Sequence, residues 1–137
     1  EIQKMKDLEE LKQKQDQIAL QQKNDKLKEI SLIDKMKKIG SLPIIKYIVN
    51  GENFQFEMNK SIVYVGRDKN TNDIFINSNT ISRNHFCIKF NELDSNYIVI
   101  DNNSMNGIIV NGFKVKQAIL KHGDIIEITN VSFTFYI

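Results

Sequence analysis

From residue 44 to the end of the chain, apolar and polar side chains alternate with a period of two. Phe54, Phe56 and Met58 alternate with Gln55, Glu57 and Asn59, and Ile126 and Ile128 flank Glu127. Phe133, Phe135 and Ile137 alternate with Thr134 and Tyr136. A strand sends successive side chains to opposite faces, so each run reads as a half-buried strand. Residues 44–49, 62–65, 73–76, 86–90, 97–100 and 108–110 add further strand candidates rich in β-branched and aromatic residues. Turn chemistry separates them: Asn50-Gly51, Asp94-Ser95-Asn96, Asn106-Gly107, Asn111-Gly112 and His122-Gly123-Asp124. No helical period follows residue 43. Many short strands spaced by turns predict an all-β, antiparallel sandwich or barrel.

Residues 1–39 are a different material. They hold no Gly, no Pro and no aromatic residue, and are dense in Lys, Glu, Gln and Leu, all good helix formers. Leu11, Ile18, Leu32 and Ile39 keep a seven-residue step that Asp25 interrupts. Leu8 and Met36 fill companion positions, but Gln15, Gln22 and Glu29 between them are polar. This is a leaky heptad. A second stripe at Leu27, Ile30 and Ile33 shifts the apolar face after Asn24. A long exposed α-helix is expected, pairing with a partner helix, self-associating as a coiled coil, or docking on a larger assembly. Gly40 and Pro43 end it. The expected division is a helical segment over 1–40 and a β-domain over 41–137.

Charge and cysteine content narrow the function. The net charge is +2, and the segment from residue 41 carries equal numbers of basic and acidic side chains. Nothing in that balance calls for nucleic acid or an anionic membrane. The single cysteine, Cys87, excludes an internal disulfide and fits a reducing, intracellular compartment. It lies in an apolar run and reads as a small buried hydrophobe. No apolar run approaches the ~20 residues that span a bilayer, and no signal-peptide pattern opens the chain. The chain does not begin with methionine, so a fragment of a longer protein is expected. GxSxG, P-loop, HExxH and CxxC patterns are absent. No enzyme, cofactor or metal is expected.

The polar residues gather at strand ends. Gly66-Arg67 closes the strand over 62–65. Thr80-Ile81-Ser82-Arg83-Asn84-His85 precedes the apolar run from Phe86. Asn103-Ser104-Met105-Asn106-Gly107 follows the strand over 97–100. A hydroxyl beside a guanidinium is poor core material but good material for an anion, joining a neutral donor to a charge-assisted one. If these loops converge, Arg67, Ser82 and Arg83 suit a dianion such as a phosphate.

Three ordered motifs carry a resemblance: Val65-Gly66-Arg67, Ser82-Arg83-Asn84-His85, and the run from Asp101 to Gly112, with Leu120 to Ile126 as a fitting last turn. Together they resemble the forkhead-associated (FHA) domain, over about residues 44–137. The resemblance implies an eleven-stranded β-sandwich that binds phosphothreonine in a partner protein, without catalysis. It implies that Arg67 and Ser82 hold the phosphate and that Arg83 adds a contact. Asn106 would bond the peptide main chain. His85 would brace the binding loops, and Gly66 and Gly107 would supply tight loop geometry. Lys69-Asn70-Thr71-Asn72 is expected to form a loop beside the site, and Lys69, Asn70 and Asn111 are candidates for reading flanking peptide residues. Met105 stands where the family most often has Thr, at the expected wall of the phosphothreonine pocket. The leading expectation is therefore a phosphothreonine-dependent adaptor with a helical anchoring or oligomerisation segment. The alternative is a constitutive structural subunit whose phosphate site is unused.

Overall fold

The computed structural model describes residues 2–137; Glu1, the first residue of the expected helix, lies outside the described residues. One helix, α1 (Ile2–Ile39), precedes eleven strands. They are β1 (Ile44–Val49), β2 (Glu52–Glu57), β3 (Ile62–Gly66), β4 (Ile74–Phe75), β5 (Phe86–Asn91) and β6 (Asn96–Asp101). After these come β7 (Ile108–Val110), β8 (Phe113–Val115), β9 (Gln117–Leu120), β10 (Ile125–Ile128) and β11 (Val131–Tyr136).

Contacts divide the chain into a helical unit ending at Ser31 and a second unit, Leu32–Ile137. Along the first unit Leu8, Leu11, Ile18 and Leu27 are all exposed. Helical spacing is supported there by the pairs Gln3–Asp7 and Gln21–Asp25.

In the second unit two sheets pack face to face. One has the order β2-β1-β11-β10-β7-β8 and the other β4-β3-β5-β6-β9. The alternation read from the sequence decides which side chains meet between them. Ile45, Val63, Val65, Ile88, Val99, Ile126, Phe133 and Phe135 are all buried in one core. Phe86 and Phe133 meet edge to face across the two sheets at 5.3 Å between ring centroids. Every pairing is antiparallel except the short β3–β4 contact, where Val65 and Gly66 run parallel to Ile74 and Phe75.

Two strands, β8 and β9, have no counterpart among the sequence candidates. Both lie at sheet edges and are largely exposed, so neither carries the apolar alternation that marks a core strand. The end of α1 also differs from a simple exposed helix. Met36 is fully buried in the sandwich core, with Leu32 and Ile33 packed against it, and Lys35 pairs with Glu92. The composition changes at residue 40, but the core begins its packing one turn earlier, at Met36.

Candidate functional site

Backbone hydrogen bonds draw the loops after β3, before β5 and after β6 together. The Arg67 amide donates to the Ser82 carbonyl at 3.0 Å, and the Asp68 amide to the Arg83 carbonyl at 3.1 Å. The fit between these two loops is so close that a β-carbon on Gly66 would overlap the Arg83 carbonyl oxygen. Only glycine allows that approach.

His85 ties the second loop to the third. It is fully buried. Its Nδ1 accepts the Ser82 amide at 3.1 Å, and its Nε2 lies 2.8 Å from the Gly107 carbonyl. One nitrogen therefore accepts and the other donates, which selects the neutral ring protonated at Nε2. Gly107 sits at φ +72°, a left-handed conformation that side chains disfavour. Next to it the Ser104 hydroxyl accepts the Gly107 amide at 2.9 Å.

These braces position a hydroxyl and two cations. The Ser82 Oγ accepts the Met105 amide at 3.1 Å. A hydroxyl that accepts from a neighbour keeps its own proton to donate. The Arg67 Nε donates to the Ile81 carbonyl at 3.0 Å, which anchors the guanidinium and leaves its other N–H groups for a ligand. Arg67, Lys69 and Arg83 share one depression with Asp68, Phe75, Asn77 and Asn79. The Asp68 carboxylate in that depression accepts the Asn70 amide at 3.0 Å. Among the described residues neither arginine forms an ion pair.

Other expected residues fall around this group. The Asn106 side chain donates to the Thr80 carbonyl at 2.7 Å, closing the third loop on the second. Met105 contributes its backbone to Ser82, but its side chain is 89% exposed. It lines a different depression, with Ser104, Gly107, Lys114 and Lys116, which shares no lining residue with the arginines' depression. Asn111 is engaged elsewhere: its carboxamide donates to Asp124 and accepts the Ile125 amide, each at 3.0 Å.

Several residues hold the loops together in roles that the motif reading did not assign. Asn72 donates to the carbonyls of both Asp68 and Arg83 at 2.7 Å, so one side chain clamps two loops. Thr71 donates to Asn84 at 2.7 Å, and Asn102 donates to the Asn84 carbonyl at 3.2 Å. Lys114 lays its side chain against Gly107. The density of Asn between residues 70 and 84 was the available signal, since Asn bonds backbone groups in loops.

Residues 63–129 match the family model described as FHA domain. No curated protein sequence matches the chain. Among solved structures, EmbR of Mycobacterium tuberculosis, in complex with a low affinity phosphopeptide, is 28% identical at TM-score 0.61. The match covers 72% of this chain and 25% of EmbR, so this chain spans about a quarter of that protein's length. The FHA domain of CT664 from Chlamydia trachomatis is 25% identical at TM-score 0.64, covering 71% of this chain and 98% of its own. Slr1951 from Synechocystis is 26% identical at TM-score 0.62, covering 69% and 97%. The family match runs through β3, the three loops and β10, and these structures share the sandwich around them. The β-sandwich of this chain is similar to FHA domains in fold, and residues 63–129 of it match the family model.

Proposed function

We propose that the sandwich binds a threonine-phosphorylated protein and that the chain is an interaction module of the adaptor class. The observation that carries this reading is the held Ser82 hydroxyl beside the anchored Arg67. Met105 fixes the oxygen, Ile81 fixes the guanidinium, and neither Arg67 nor Arg83 forms an ion pair among the described residues, although Asp68 lines the same depression. Donors already in place for a phosphate need little reordering when it arrives. In this reading Arg67 and Ser82 grip the phosphate, Arg83 adds charge, and Asn106 offers its carboxamide to the peptide main chain. Met105 borders the pocket without filling it, and Lys69 and Asn70 face flanking residues. The Asn111 carboxamide is spent on its turn, which weighs against a peptide-reading role there. The phosphopeptide bound to EmbR supports the same class of ligand.

The helical segment over 1–40 is proposed as a separate functional part that anchors or oligomerises the domain. Its exposed Leu8, Leu11 and Ile18 support a helical partner or a second copy. No helix of the described residues is long and apolar enough to cross a membrane.

Capture from a library of phosphothreonine peptides by the full chain tests the proposal, with a phosphatase-treated library as control. Retention of phosphorylated peptides alone is expected. Equal retention from both libraries would contradict it.

A further inference from the structure

Each sheet ends in strands with one side unpaired. Three of these, β4, β8 and β9, are only two, three and four residues long. β2 has six residues and stands at the edge of the six-stranded sheet. It pairs with β1 without a bulge, from Glu57 opposite Ile44 to Glu52 opposite Val49. All its residues are exposed except Phe56, which is half-buried. Edge strands are usually blunted by proline, lysine, a bulge or short length. β2 has none of these devices. Its outer row of amides and carbonyls is a template for another strand.

The side chains along this edge carry a pattern. Phe133, Tyr47 and Phe54 stack in a row, with ring centroids 5.4 and 5.3 Å apart. The row runs outward through β11, β1 and β2 and stops at Phe54, which is 40% exposed. Phe56 lies on the same face, two residues on. An apolar side chain opposite Phe54 on an added strand would continue the row. Glu52 and Glu57 stand at the two ends, and neither forms an ion pair among the described residues.

The glutamates decide between occupants. Two copies joined at this edge about a two-fold axis would run their β2 strands antiparallel. In full overlap each Glu52 would then face the other copy's Glu57, and like charges directly opposite are unfavourable. Basic residues at those positions reverse the sign. On an antiparallel strand, the residue opposite Glu57 comes first. Those opposite Phe56 and Phe54 follow one and three positions later, and the one opposite Glu52 five positions later.

We propose that β2 accepts an extended segment of a partner protein as an added antiparallel strand. The segment carries Lys or Arg at its first and sixth positions and apolar or aromatic residues at its second and fourth. Main-chain hydrogen bonds hold the strand, and the glutamates and Phe54 select its sequence. β2 lies in the opposite sheet from β3, β5 and β6, the strands whose loops form the phosphate site. This contact therefore needs no phosphorylation and stands apart from the phosphothreonine reading.

The test uses the full chain and an unphosphorylated peptide, Lys-Phe-Thr-Phe-Thr-Lys, with capped ends and a dye on a short glycine tail. A second peptide has Glu in place of both Lys. By fluorescence anisotropy at low salt, wild type should bind the lysine peptide roughly tenfold tighter than the glutamate peptide. The double variant Glu52→Lys, Glu57→Lys should reverse that order. Both positions are exposed, so the variant should fold as wild type does. Amide hydrogen exchange supplies a second readout. The lysine peptide should slow exchange across residues 52–57 severalfold, because free edge amides become donors in a ladder. No binding of the lysine peptide, equal binding of both peptides by both proteins, or binding without protection of 52–57 overturns the proposal. Exchange across 52–57 that slows with protein concentration alone assigns the edge to a second copy and also overturns it.

Discussion

The carbonyl of Arg83 packs directly on the α-carbon of Gly66, leaving no room for a side chain. That contact sets the separation of the loops that carry Arg67 and Ser82. Gly66→Ala should therefore destabilise the domain by about 1–3 kcal/mol, the usual cost of overpacking a tight site. It should also weaken phosphopeptide binding, because the obstacle is backbone and cannot swing aside. Urea denaturation measures the first effect and calorimetry the second.

His85 should behave as a brace. Its removal leaves the Ser82 amide and the Gly107 carbonyl without their partner. Each orphaned buried group costs about 1–3 kcal/mol. His85→Ala should thus lose at least ~2 kcal/mol in denaturation. A loss within the ±0.5 kcal/mol typical of surface changes would show that the bridge does not hold the loops.

How much of this was legible depends on how local each signal is. Gly66-Arg67, Ser82-Arg83 and Asn106-Gly107 are adjacent pairs at strand ends, and pairs of that kind declare a loop with chemistry. The core strands declare themselves through Phe133 and Phe135 or Val63 and Val65, whose alternation survives in any sequence window. The clamping role of Asn72 was not legible, because it bonds two carbonyls distant in sequence, and an Asn in a loop has many fates. The strands β8 and β9 lie at edges, where Lys114 and Gln117 face solvent and blur the period. Met36 read as part of a heptad for a partner helix. A helix's apolar residue does not say which surface will cover it.

Met105 tests the side chain at the site's border. With its side chain almost fully exposed, Met105→Thr should change stability by less than ~0.5 kcal/mol. It should tighten phosphopeptide binding modestly, by the ~1 kcal/mol of one net hydrogen bond. Paired titrations of wild type and variant decide this. If wild type binds no phosphopeptide and Met105→Thr restores binding, Met105 closes the pocket and the structural-subunit reading gains.

The helix makes two separable predictions. Met36 is part of the core, so Met36→Ala should cost about 2–5 kcal/mol. For the same reason residues 32–137 should melt well above residues 41–137. If the remaining helix self-associates, light scattering should find the full chain oligomeric and residues 32–137 monomeric. A monomeric full chain would assign the helix to another protein's surface.

The central claim is that Arg67 grips a phosphate from an anchored position. Charge-assisted hydrogen bonds contribute roughly 1.5–3 kcal/mol. Calorimetry of a captured phosphothreonine peptide against wild type and Arg67→Ala, with thermal melts of both, measures that contribution directly. The account predicts affinity roughly ten- to a hundredfold weaker in the variant, with its melting temperature close to that of wild type. Unchanged affinity in a folded Arg67→Ala protein would contradict it.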